Sequence, residues 1–262
     1  MQLKKQLLLI TFGLITASGS ALADGYESYA PPPPPVACCD DIWTGPYARA
    51  AIGYQWGNSD SFSQFTVDGV PLGTITDSAS HSGVQGVVTL GYDHAIWNAL
   101  VLGVFGDYAF GEHSGNGTLF DPNVGSDVYS AELDDQWSLG GRIGYAMQCC
   151  TMLYFSAGWS WSHVTFIDPD NASPIDAFGQ ERNHIGGYFL GVGVEHQLHD
   201  GWFVNLDYRF TDYGNENYVD QTITCGASQC NFRFDLDTQT NALRLGIAWK
   251  MDMDRHEVVP IK

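Results

Sequence analysis

From Trp43 onward the chain repeats one pattern: short segments in which apolar and polar positions alternate, separated by polar stretches rich in Gly and Asp. Eight such segments are legible. In the first, Ala48, Ala50, Ile52, Tyr54 and Trp56 share one face while Arg49, Ala51, Gly53 and Gln55 share the other. Val84, Val88, Leu90 and Tyr92 oppose Gln85, Thr89 and Asp93. Leu100, Leu102, Val104, Tyr108 and Phe110 oppose Gly103, Phe105 and Asp107. Trp137, Leu139, Ile143 and Tyr145 oppose Gln136, Ser138 and Arg142. Leu153, Phe155, Trp159 and Trp161 oppose Tyr154, Ser156, Ser160 and Ser162. Tyr188, Leu190, Val192 and Val194 oppose Phe189, Gly191, Gly193 and Glu195. Trp202, Val204, Leu206, Tyr208 and Phe210 oppose Asn205, Asp207, Arg209 and Thr211. Leu243, Leu245, Ile247 and Trp249 oppose Ala242, Arg244, Gly246 and Ala248. A period of two marks strands with two unlike faces.

The connections narrow the choice among β-folds. Short links at Ala95 to Ala99, Gln148 to Thr151 and Leu198 to Gly201 alternate with four links of roughly 20 residues. One end of the molecule is thus expected to carry tight turns and the other long polar loops. Bacterial outer-membrane barrels have short periplasmic turns and long extracellular loops, with aromatic residues at both interfaces. Sandwiches have no such rule. The pattern predicts an all-β, transmembrane, antiparallel up-and-down barrel of eight strands over 43–249. No stretch approaches 18 consecutive apolar residues, so a helical membrane protein is excluded.

The ends read differently. Lys4 and Lys5, the apolar run Leu7 to Ala17 and the small-residue pattern Ala21-Leu22-Ala23 predict a cleaved signal peptide over 1–23. Residues 24–42, with Pro31 to Pro35, read as a stiff periplasmic linker, and 250–262 as a short periplasmic tail. Only 16% of residues are charged while 13% are aromatic, which suits a chain with both a core and a lipid face. Eleven Lys and Arg against 30 Asp and Glu give a net charge of −19. That balance speaks against nucleic acid, which requires a basic surface. Acidic loops kept in solution by their charge are the simplest reading.

An eight-stranded barrel is just wide enough for its own side chains to fill. The inward faces bring together Arg49, Asp93, Asp107, Arg142, Glu195, Asp207, Arg209 and Arg244, four cations and four carboxylates. Buried charges must be paired, so these residues are expected to form an internal ion-pair network. A closed structural core is the expectation, and a gated pore plugged by the network is the alternative.

Six cysteines fall in three close pairs, an even number that favours disulfides in an exported chain. Cys225 and Cys230, in the last long link, are expected to join each other. Cys38 and Cys39 lie on the same side as Cys149 and Cys150, and a bond between these pairs would strap the linker across the barrel mouth. Vicinal bonds or free thiols are the alternatives for those four. The histidines His81, His94, His113, His163, His184, His196, His199 and His256 show no metal-ligand spacing beyond that of His196 and His199 at a short turn, and neither metal nor cofactor is expected. Asp77, Ser80 and His81, or Glu112 and His113, are the sets an enzyme would need at the outer rim. Polar loops offer such sets by chance, so no catalytic residue is expected.

Several motifs in order carry a family likeness: Trp43-Thr44-Gly45-Pro46-Tyr47, Gly140-Gly141-Arg142-Ile143-Gly144-Tyr145, Gly191-Val192-Gly193-Val194-Glu195-His196, Asp207-Tyr208-Arg209-Phe210-Thr211-Asp212-Tyr213-Gly214 and Leu243-Arg244-Leu245-Gly246-Ile247-Ala248-Trp249. The chain resembles the small OmpA-like, or porin-like, outer-membrane barrels of Gram-negative bacteria. The resemblance implies an eight-stranded barrel in the outer membrane, a monomer in contact with lipid and lipopolysaccharide and inserted by the assembly machinery. Members serve structural, adhesive, immune-evasive or small-solute roles, so the likeness names no extracellular ligand. Such proteins commonly end on an aromatic residue, whereas here Met251 to Lys262 follow Trp249.

Overall fold

The computed structural model describes residues 42–96, 99–111, 113–119, 127–147, 150–167, 182–199 and 201–251. These hold β1 (Gly45–Val67), β2 (Val70–Ile96), β3 (Leu100–Phe110), β4 (His113–Leu119), β5 (Asp127–Met147), β6 (Thr151–Ile167), β7 (Arg182–His199), β8 (Trp202–Cys225) and β9 (Ser228–Lys250). Apart from β3 and β4, each strand pairs antiparallel with its neighbour in the chain, and β1 pairs with both β2 and β9, so the sheet closes on itself. β4 continues the line of β3, lying against β5 and meeting β2 at Ser82 and Ser114. Nine strands therefore make eight staves, as the alternation predicts.

The two faces are inverted relative to a soluble protein. Leu90, Val104 and Leu139 are more than 60% exposed on the outside, while Arg142, Asp93 and Glu195 are buried within. Only hydrocarbon makes such an outer face favourable, and only a closed sheet leaves no unpaired backbone in it. The aromatics Tyr54, Trp56, Trp137, Trp159, Trp161, Tyr188 and Tyr208 crowd one rim of this band, and Tyr92, Tyr145, Trp202 and Trp249 the other.

The first and last of the long links are not loops. β1 runs on to Val67 and β2 begins at Val70, and β8 and β9 likewise continue to Cys225 and from Ser228. A transmembrane strand requires about 9–11 residues, so roughly half of each of these four strands stands beyond the membrane. Both turns use positive φ. Asp68 (50°) and Gly69 (79°) form a two-residue turn of the kind Asp-Gly favours. The Gln229 amide donates to Asp68 Oδ1 at 2.8 Å, tying the two hairpin tips together. That bond holds the Asp68 carboxyl below its usual range.

At the short-turn end, Trp43 packs on Phe203 with ring centroids 5.3 Å apart, above Val101, Met152 and Ala248. This apolar stopper stands in the short-turn mouth of the bore. The expected end at Trp249 needs a correction of one residue. Lys250 belongs to β9 and is buried, because it shares the inward parity of Arg244, Gly246 and Ala248. The expected signal peptide, the linker from 24 to 41 and the tail from Asp252 lie outside the described residues.

Candidate functional site

Above the stopper the bore is filled by two ionic layers. In the lower one Arg142 donates through Nε to Asp93 (2.8 Å) and through Nη1 to Glu195 (3.1 Å). Lys250, absent from the residues expected on sequence grounds, reaches the same two carboxylates at 2.7 and 3.4 Å. The Tyr47 ring lies 4.4 Å from the Arg142 guanidinium carbon. Gly103 makes room for this layer, since a side chain there would collide with Asp93 Oδ1.

The upper layer is built on two aspartates. Asp207 accepts from Arg49 at 3.1 Å and from Arg244 at 2.6 Å. Asp107 takes Arg209 through both oxygens, at 3.2 and 2.6 Å, with Arg244 3.8 Å away. Thr89 and Ser138 receive further guanidinium N–H groups from Arg49 and Arg209. The Arg209 guanidinium carbon lies over the Phe189 ring, 4.1 Å from its centre, and Phe105 stands beside Phe189. All eight residues named from the sequence thus meet in the bore, together with Lys250.

Higher up, Ser138 and Ser160 share a hydrogen bond of 2.7 Å, and Gln136 meets the Tyr213 hydroxyl. His81 and His113 are buried beyond them. The nominated set Asp77, Ser80 and His81 does not assemble. Alternation turns Ser80 outward, where it donates to Asn58, and His81 inward, while Asp77 accepts from the Thr118 amide. Glu112 lies outside the described residues. His163 and His184 stand 4.1 Å apart as rings, and His196 meets Thr151 at a short turn. Among the described residues no three His, Cys, Asp or Glu side chains converge as metal ligands. Cys150 and Cys230 are each disulfide-bonded. Cys38, Cys39 and Cys149, and the Cys225 side chain, lie outside the described residues.

Beyond the outer aromatic rim two carboxylates face each other. Asp60 stands directly across from Asp237 on neighbouring strands. Partial burial, with Asp212 and Asp60 nearby, raises the Asp237 carboxyl above its usual range. Its folded-state proton affinity exceeds the unfolded one, so this part of the sheet is expected to gain stability as pH falls through that raised value. Asp237→Asn is expected to give the same gain at pH 7, roughly 0.5 kcal/mol, read as slower amide exchange in β9 above the rim. Unchanged or faster exchange would count against the like-charge contact.

The model of the outer membrane protein beta-barrel domain matches residues 11–232. A 31 kDa outer-membrane immunogenic protein of Brucella melitensis is 25% identical over 251 residues, covering 94% of this chain and 99% of that protein. A 25 kDa outer-membrane immunogenic protein of Brucella abortus is 26% identical over 258 residues, covering 95% and 100%. Among solved structures, OprG of Pseudomonas aeruginosa is 16% identical over 80% of this chain and 98% of its own, with a TM-score of 0.48. Closed ring, apolar outer face and family match agree on the outer membrane as the protein's location. With its model spanning most of the sequence, the chain belongs to the outer membrane protein beta-barrel domain family.

Proposed function

We propose that the protein is a closed structural and surface element of the outer membrane: a lipid-bound cylinder that carries an acidic β-sheet into the extracellular space. The observation that supports this is the filled bore. The stopper of Trp43 and Phe203 and the two ionic layers leave each of their charged side chains at most 6% exposed. A pore that conducts needs a continuous wetted path, and paired, desolvated charges in tight contact oppose one. No catalytic residue is assigned, and the relatives are outer-membrane proteins named for immunogenicity.

The reading extends to partners. The apolar band contacts membrane lipid, and lipopolysaccharide would surround the outer rim. Insertion by the assembly machinery as a monomer fits a ring complete within one chain. Reconstituted in planar bilayers at neutral pH, the protein is expected to show no stepwise current. Regular conductance steps would favour the narrow-channel alternative.

A surface-attachment role is the second reading, favoured by the hairpin tip. Val70 and Leu72 are more than 60% exposed there, well beyond the apolar band. Val70→Ser combined with Leu72→Ser tests that tip, and deleting Asp212 to Asp237 tests the rest of the extracellular sheet, each variant being assayed alone and both together. Loss of attachment to host cells or surfaces with an intact barrel would support adhesion, and unchanged attachment would remove it.

A further inference from the structure

The two ionic layers differ in charge balance. The lower holds Arg142 and Lys250 against Asp93 and Glu195 and is neutral. The upper holds Arg49, Arg209 and Arg244 against Asp107 and Asp207, which leaves one positive charge without a counter-charge. All five upper groups are buried, and an uncompensated charge in such a place is costly.

The excess coincides with a space. A cavity of about 10 Å³ opens among Arg49, Arg142, Arg209, Arg244, Asp207 and Ser156. Arg209 is 3% exposed and lines it, and its buried Nε–H meets no acceptor among the described residues. Four cationic walls, an unused donor and room for a single small guest occur together.

We propose that this cavity binds one monovalent anion of halide size, accepting from Nε of Arg209 and neutralising the upper layer. The inference rests on the closed-bore reading, since a wetted channel would screen the charge without a bound ion. Water would satisfy the donor but leave the charge.

The test uses the folded wild-type barrel in detergent, crystallised from sodium bromide. An anomalous peak within hydrogen-bond distance of Arg209 Nε is expected, and a water or nothing at that position overturns the proposal. In parallel, the barrel is refolded in bromide or gluconate at equal ionic strength. Its apparent unfolding midpoint is expected about 3 °C higher in bromide, at ten times the dissociation constant. Equal midpoints overturn the proposal. Arg49→Met balances the upper layer and is expected to abolish the bromide effect, so a persistent effect overturns the assignment to this cavity. If that variant fails to fold, the two wild-type measurements decide. Bilayer conductance on the same preparation separates the readings: a silent barrel without bromide loses only the anion site, and a conducting barrel loses the closed bore.

Discussion

Arg142→Ala is expected to lower the unfolding midpoint of the refolded barrel by about 10 °C, read as loss of the fast-migrating unboiled band on gels. Arg142 serves two carboxylates at once, and both are buried in the bore. Its removal leaves Asp93 and Glu195 facing each other with only Lys250 between them. Breaking a buried pair by deleting one partner costs about 3–5 kcal/mol, and a chain of this size loses about 2–4 °C per kcal/mol. Removing the whole layer is a different matter. Arg142→Met, Lys250→Met, Asp93→Asn and Glu195→Gln together leave no unpaired charge and are expected to recover most of the loss. A single variant within 2 °C of wild type would show that water reaches the layer.

Phe189→Ala is expected to be as damaging, by about 3–5 kcal/mol, measured as a shift of the urea midpoint in detergent. The ring is fully buried, and it occupies the space that a Cβ on Gly140 would need. It also presents its face to the Arg209 guanidinium, an attraction of about 2 kcal/mol when desolvated. Phe189→Leu keeps much of the volume without the π face. Its cost is expected to be about half that of alanine, and equal costs would mean that packing contributes little.

The membrane-crossing part of the fold is legible in the sequence because lipid and bore impose opposite chemistry on alternate residues. Ile52, Tyr54 and Trp56 face out while Arg49 and Gln55 face in, and the structure keeps that division. Beyond the rim both sides of β1 meet polar surroundings. Ser59, Ser61 and Ser63 alternate with Asn58, Asp60 and Phe62, so the hydrophobic period fades although the backbone ladder continues to Val67. The same loss of contrast hides the upper parts of β2, β8 and β9.

Eight of the interior charges could be placed by parity alone. Lys250 was missed because the last aromatic, Trp249, looked like the end of the strand. Extending the parity by one residue would have found it. The stopper is harder to foresee, since Trp43 precedes the first alternating position and nothing in its neighbours shows that it turns back over the bore. Contacts between staves, such as Arg209 with Phe189, depend on the shear of the barrel and have no local signature.

The seam between the first and last strands has a mechanical consequence. β1 and β9 are in register from Tyr47 with Lys250 to Val67 with Cys230, whereas the described ladder of β3 against β2 runs only from Gly86 with Phe110 to Ile96 with Leu100. A sheet pulled apart sideways parts where the fewest rungs hold it. The ladder of β7 against β8, from Tyr188 with Asp212 to His199 with Trp202, is just as short. Under heat or lateral tension this ring is built to split at one of these two short ladders while the join between its two chain ends stays shut, the reverse of a cylinder that unrolls from its ends.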